Sequence, residues 1–189
     1  MVPRLHTIIG STHPGRIGPA VAAWFHSFAV QHALFKAVLV DLKDFDLPVF
    51  DEPFHPALQK YQHAHTRKWA ASVALADAFV FVAPEYNYGP SPALLNALDY
   101  VYVEWNYKPA AFVSYGDDAS GGLRGVQMTK QTLSALKMAP IVEAVSIPMV
   151  ENQLKDGKFT PTRDQNLAAA RLLDELHRWA QMLREPATA

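Results

Sequence analysis

Apolar residues in this chain fall into two kinds of stretch. Short unbroken runs predict strands at residues 5–10, 36–42, 78–83, 110–115 and 141–147. Between them, apolar positions recur every three or four residues, the spacing of one buried helical face. One such helix carries Ile17, Val21, Trp24, Phe25 and Phe28, and another carries Leu94, Leu95, Leu98 and Tyr102. Further helices are predicted over residues 66–76, 122–137 and 163–183. Strands that alternate with helices need crossover connections, so the fold class is α/β: a three-layer α/β/α sandwich about a five-stranded parallel sheet. The strand order 2-1-3-4-5 brings the loops after strands one, three and four around one crevice, where open parallel sheets place ligands.

The loop after the third strand reads Pro84-Glu85-Tyr86-Asn87-Tyr88-Gly89-Pro90-Ser91-Pro92-Ala93. Pro84 and Gly89 break the strand, and Ser91 is a natural N-cap with Pro92 at the first helical position. Two tyrosines, an amide and closely approachable backbone at a strand's carboxyl end suit a flat heteroaromatic ring. The competing reading makes Tyr86 and Tyr88 loop anchors on the sheet and Asn87 a residue that only adopts a left-handed turn. Asn96 and Asp99 read as helix-packing or loop-bracing groups.

The loop after the first strand, Ser11-Thr12-His13-Pro14-Gly15-Arg16-Ile17-Gly18, places small hydroxyls, glycines and an arginine ahead of a helix N-terminus. Backbone N–H groups there lack intrahelical partners and the helix dipole is positive, which suits a phosphate monoester. Arg16 as a mere surface charge is the competing reading. Gly10 and Gly15 have the spacing of a P-loop, but Arg16-Ile17 stand where Lys and Ser/Thr are needed, and G-x-G-x-x-G is not present either.

Three separated segments match one family together: Gly10-Ser11-Thr12-His13-Pro14-Gly15-Arg16, Pro84-Glu85-Tyr86-Asn87 with Leu94-Leu95-Asn96-Ala97-Leu98-Asp99, and Ser114-Tyr115-Gly116 followed by Ser120-Gly121-Gly122-Leu123-Arg124. In these the chain resembles the NADPH-dependent FMN reductases, flavodoxin-like quinone and flavin reductases. His13 stands where that family usually has Arg, Leu95 where Lys is frequent, and Asp117-Asp118 where small residues are commoner.

The resemblance implies a flavodoxin-like fold with FMN at the carboxyl edge of the sheet. Ser11, His13, Arg16 and the backbone of Ile17, Gly18 and Pro19 would hold its phosphate. Pro84, Glu85, Tyr86, Asn87 and Tyr88 would contact the isoalloxazine or ribityl chain, with Ser114, Tyr115 and Gly116 on the other side. Backbone N–H groups from Asn87 to Gly89 and near Gly116 would face the pyrimidine edge. The implied activity is an FMN-dependent NAD(P)H oxidoreductase. Hydride would pass from NADPH or NADH to flavin N5 and on to a quinone, free flavin, azo or similar acceptor by a ping-pong mechanism, with no obligatory catalytic side chain. The alternatives are a flavodoxin-like electron-transfer carrier, which a nearly neutral chain fits poorly, and a regulatory protein of this fold without bound flavin, which His13 keeps in view.

Composition narrows the setting. At 189 residues and 50% hydrophobic, the chain reads as a single domain over residues 1–189. A formal net charge of -1 gives no electrostatic case for nucleic acid or an acidic membrane surface. With 0 Cys, cysteine chemistry is excluded, and the first residues carry no signal-peptide pattern, so a cytoplasmic protein is expected. The 8 His show no metal-ligand spacing; His63 and His65 are expected on opposing sides of a helix, and no metal is expected. Gly121 and Gly122 are read as starting a helix, with Arg124 pairing with a neighbouring carboxylate. The Pro- and His-rich stretch 44–65 is read as an irregular connection or as a dimer contact. Trp105, Tyr102 and Tyr100 are candidates for the interface of a homodimer, or a tetramer, or else for packing within the subunit.

Overall fold

The computed structural model describes residues 2–184. Strands β1 (Arg4–Ile9), β2 (Lys36–Asp41), β3 (Ala78–Tyr86), β4 (Gly89–Pro90), β5 (Pro109–Tyr115) and β6 (Ala139–Ile147) lie in one sheet. Five are parallel, in the order β2-β1-β3-β5-β6, and the two-residue β4 pairs antiparallel with the end of β3. The predicted order is therefore found, with β4 added as a short hairpin arm. Position in the sheet follows apolar content. The seven residues of β5 are all buried, as are the first seven of β3, so these strands are covered on both faces, whereas β2 at the edge is mostly half-exposed. The third strand runs on past Ala83 to Tyr86. Pro84 still sits in register with Tyr115, because its missing N–H falls at the last turn of the ladder.

Helices α1 (Gly18–His32) and α5 (Arg163–Leu183) cover one face; α2 (Ala64–Ala74), α3 (Pro92–Asp99) and α4 (Leu123–Ala135) cover the other. The long α5 begins at a reciprocal capping box between Thr162 and Gln165. Ser91 caps α3 as expected, its Oγ accepting the Leu94 N–H at 3.2 Å and donating to the Gly10 carbonyl, which ties the third loop to the first. Helix α3 stops at Asp99, so Tyr102 lies beyond it.

The second face is aromatic. Trp105 packs edge-on against Phe79 at 4.8 Å and against Trp69 at 5.8 Å. Tyr100 and Trp105 are 0% exposed, so both belong to the subunit's own core rather than to an interface. Each buried indole N–H is satisfied by a carbonyl, Trp69 by Ala97 at 2.8 Å and Trp105 by Leu98 at 3.2 Å.

Stretch 44–65 is irregular apart from 3-10 turns at Leu42–Phe45 and Pro56–Leu58 and the start of α2 at Ala64, and it is laced onto α3. Asn96 accepts the Phe50 N–H at 2.9 Å and donates to the Pro48 carbonyl at 2.6 Å, the bracing role its sequence position suggested. Buried Glu52 accepts the N–H groups of Gln62 and His63 at 2.7 and 2.9 Å. His63 is the N-cap of α2 rather than a helical residue, so its ring stacks on His65 at 5.2 Å and both face Asp51 instead of opposing sides. A further hairpin, β7 (Leu154–Lys155) with β8 (Lys158–Phe159), turns at Asp156-Gly157; that Asp-Gly pair was a turn signal the sequence reading did not use. Among the described residues no helix is long and apolar enough to cross a membrane.

Candidate functional site

The loops following β1, β3, β5 and β6 meet at the carboxyl edge of the sheet around a cleft of ≈ 330 Å³. His13, Gly15 and Ile17 come from the first loop, Pro84, Glu85 and Tyr86 from the third strand's end, Tyr115, Gly116 and Asp117 from the fourth loop, and Val150 and Glu151 from beyond β6. The rings of His13 and Tyr86 approach to 6.1 Å across it. A shallower hollow continues the cleft past Gly116 to Asn87, Tyr88, Asp118 and Arg124.

Next to Ile17 and Tyr115 of the cleft's lining, α1 begins without a side-chain cap; Pro19 has no N–H and the Ala20 N–H bonds to the Ile17 carbonyl at 3.0 Å, which leaves the Gly18 N–H as the donor of the first turn. Buried Ser11 Oγ and Tyr115 Oη lie 3.3 Å apart beside this terminus. A bond between two hydroxyls consumes one proton; the other is free for an acceptor. Burial holds the Tyr115 phenol above its ordinary pKa, so it remains a neutral donor. A Cβ on residue 18 would stand 2.5 Å from Ser11 Oγ and 2.9 Å from Tyr115 Oη, so glycine there lets the two hydroxyls lie against the helix start. A terminus with a positive dipole, two hydroxyls and no carboxylate among these groups fits a phosphate monoester.

Three of the expected ligands are turned to other partners. Arg16 donates Nη1 to Asp41 Oδ1 at 2.7 Å, Nη2 to Asp41 Oδ2 at 2.5 Å, and Nη1 also to the Ser11 carbonyl. The guanidinium therefore braces the loop from behind, and its hydrogen bonds to Asp41 hold its pKa above the ordinary value. Glu85 Oε2 accepts the N–H groups of Arg124 and Gly125 at 3.0 and 3.1 Å, so its carboxylate caps α4. Ser114 Oγ donates to the Gly121 carbonyl at 2.7 Å, inside the β5–α4 connection. In each case a buried or half-buried polar group took the nearest partner its own fold offered. The Gly116 N–H is likewise committed, to the Ile147 carbonyl at 3.2 Å.

The β3–β4 hairpin turns through Asn87 (φ 51°) and Tyr88 (φ 68°), both left-handed. Such a turn leaves the N–H groups of its two central residues outside the ladder. Tyr88 is exposed, and its ring lies 3.9 Å beneath the Arg124 guanidinium. Arg124 in turn binds Glu85 through Nε at 2.6 Å and bridges to Asp118 and Ser120. The Ser120 hydroxyl, then Arg124, hold the Asp118 carboxyl down at about 2. The sequence reading missed Val150, Glu151 and Asp41; none lies in a motif, and the only signal was position, Asp41 as the last residue of β2 and the other two just past the end of β6. Among the described residues no group of three or more His, Asp or Glu is disposed to hold a metal ion.

The sequence profile of the NADPH-dependent FMN reductases matches residues 3–152. An NAD(P)H-dependent FMN reductase of Schizosaccharomyces pombe is 38% identical over 152 residues, covering 78% of this chain and 75% of its own. In fold, the chain is similar to FerB, a flavoenzyme NAD(P)H:(acceptor) oxidoreductase from Paracoccus denitrificans, with TM-score 0.76, 17% identity and coverage of 96% and 98%. It is also similar to a flavodoxin, WrbA-like protein from Agrobacterium tumefaciens, with TM-score 0.62, 14% identity and coverage of 96% and 99%.

Proposed function

The chain belongs to the NADPH-dependent FMN reductase family and is an NAD(P)H-dependent FMN oxidoreductase; from that premise we propose how its residues serve the activity. The observation that carries the proposal is the convergence of the first, third and fourth loops on one cleft beside a helix terminus with an unspent hydroxyl donor. Ser11, Tyr115 and the α1 backbone at Gly18 would hold the FMN phosphate. His13, Ile17, Pro84, Tyr86 and Gly116 would wall the ring system and exclude water, and the N–H groups of Asn87 and Tyr88 would offer donors to its polar edge. Arg16 and Ser114 act through the loops they brace, and the Glu85 carboxylate acts by anchoring α4.

When bound, FMN supplies the redox chemistry, taking up hydride from reduced nicotinamide and giving electrons to a small-molecule acceptor such as a quinone, flavin or azo compound. The side chains orient and desolvate; none is required as acid or base, and burial keeps Tyr86 and Tyr115 protonated at neutral pH. Nicotinamide and acceptor would use the same cleft and take turns there, giving ping-pong kinetics. Exposed Val49 and Leu95 at α3 support pairing of two copies, with the cytoplasm as the compartment this reading assigns. The test is to load the protein with FMN, add NADH or NADPH anaerobically and watch the visible flavin band bleach, then measure initial rates with both substrates varied. Bleaching and parallel double-reciprocal lines are expected. Intersecting lines would overturn the ping-pong assignment, and an unbleached flavin the site assignment.

A further inference from the structure

Charge around the cleft is one-sided, and pairing makes it so. Glu85, Asp117 and Glu151 line the cleft, and Asp118 the hollow beyond it; among the described residues the only basic side chains on these walls are His13 and Arg124. Arg124 already bridges Glu85 and Asp118 and stacks on Tyr88. Arg16, the next guanidinium, is closed onto Asp41. His13 Nδ1 lies 2.8 Å from the Pro14 carbonyl, a contact that needs its proton there, so in the neutral ring Nε2 has none to donate. Asp117 and Glu151 carry no ion pair among the described residues and are exposed. Two carboxylates thus stand without an ion-pair partner at the mouth, and among the described residues both nearby arginines are already paired.

We infer that this mouth selects against the 2′-phosphate of NADPH, so that this chain uses NADH as its preferred co-substrate. The inference rests on the oxidoreductase reading above. A phosphate monoester brings about −1.5 to −2 charges at neutral pH. Where it comes within a Debye length of these carboxylates, about 10 Å at 0.1 M salt, it is repelled. Discrimination on the order of tenfold in kcat/KM follows, since a cleft lined by one sign of charge shifts on-rates by about 10-fold or more.

The experiment uses the full FMN-loaded chain with one fixed neutral quinone and compares kcat/KM for NADH and NADPH from low to high NaCl. The expected result is a preference of about tenfold for NADH at low salt that shrinks as salt screens the mouth. In the double variant Asp117→Asn/Glu151→Gln, the NADPH-to-NADH ratio should rise about tenfold. Should that variant not fold, the salt series on the native chain still decides. Equal or reversed preference at low salt, or a ratio indifferent to salt, overturns the inference while leaving the activity intact. Oxidation of neither coenzyme would overturn the parent reading itself, and this inference with it.

Discussion

The two ends of the sheet handle charge in opposite ways. At the amino end, ionisable groups are wholly or partly buried and pushed toward neutrality: His6, packed edge-on to Phe79, is lowered to about 4 and half-buried Lys108 to about 8, each chiefly by desolvation. Lys108 closes the end of α2, donating to the Val73 and Ala74 carbonyls at 3.0 and 3.2 Å, and the Arg4 N–H reaches Asp77 at 2.7 Å. At the carboxyl end the arginines are held in pairs, Arg16 with Asp41 and Arg124 with Glu85 and Asp118, while Asp117 and Glu151 stay exposed at the mouth. Hydroxyl and backbone N–H capacity is left open there as well. One end spends its polar groups on the fold, and the other braces its arginines and keeps neutral donors for a ligand.

If the ends are separable, damage to one should spare the other. The largest effect is expected from Trp105→Ala, beside the amino end of β5. Losing a fully buried indole should cost roughly 3–5 kcal/mol in urea unfolding, while FMN affinity of the folded protein stays within about twofold. A large loss of affinity in a folded Trp105→Ala protein would join what we have separated. Next, Gly18→Ala pushes the Ser11 and Tyr115 hydroxyls apart; because those are the movable ends of side chains, folding should survive while the FMN Kd rises roughly 10- to 100-fold, about 1.4–2.8 kcal/mol. Flavin fluorescence quenching would read it.

A smaller change sharpens the role of Arg16. Asp41→Asn removes one end of the brace and should weaken FMN binding by about 1 kcal/mol. Were Arg16 itself a phosphate ligand, releasing it from Asp41 would tighten binding instead, and the sign of the change separates the two. The smallest effect belongs to His6. Its folded pKa, about 4, lies below the ordinary 6.5, so between these values the unfolded chain binds a proton that the native chain refuses. Stability contributed by the neutral ring is complete above pH 6.5 and falls as pH drops toward 4, on the order of 1 kcal/mol after solvent screening. Urea midpoints across that range should slope less in His6→Gln; equal slopes would remove His6 from the account.

Strands, helices and sheet order were legible in the sequence because they follow from local period and from the need to bury continuous apolar runs such as residues 78–83. The Ser91 cap and the helix at residues 163–183 were legible for the same reason, since caps and amphipathic faces involve residues three or four apart. The convergence of three loops was also readable, because a parallel sheet places every strand's carboxyl end on one edge. The β3–β4 arm was missed since Asn87-Tyr88 lacks the glycine that usually marks such a turn.

The sequence by itself thus determined the scaffold and three of the four loops that surround the cleft. Only the tertiary structure decided which polar groups in those loops remain available. Arg16 took Asp41, 25 residues away, Arg124 took Glu85, 39 away, and Ser11 met Tyr115, 104 away. Nothing in local spacing encodes such partners. A half-buried charge binds whatever opposite charge packing brings within reach, and that depends on how distant strands are laid side by side.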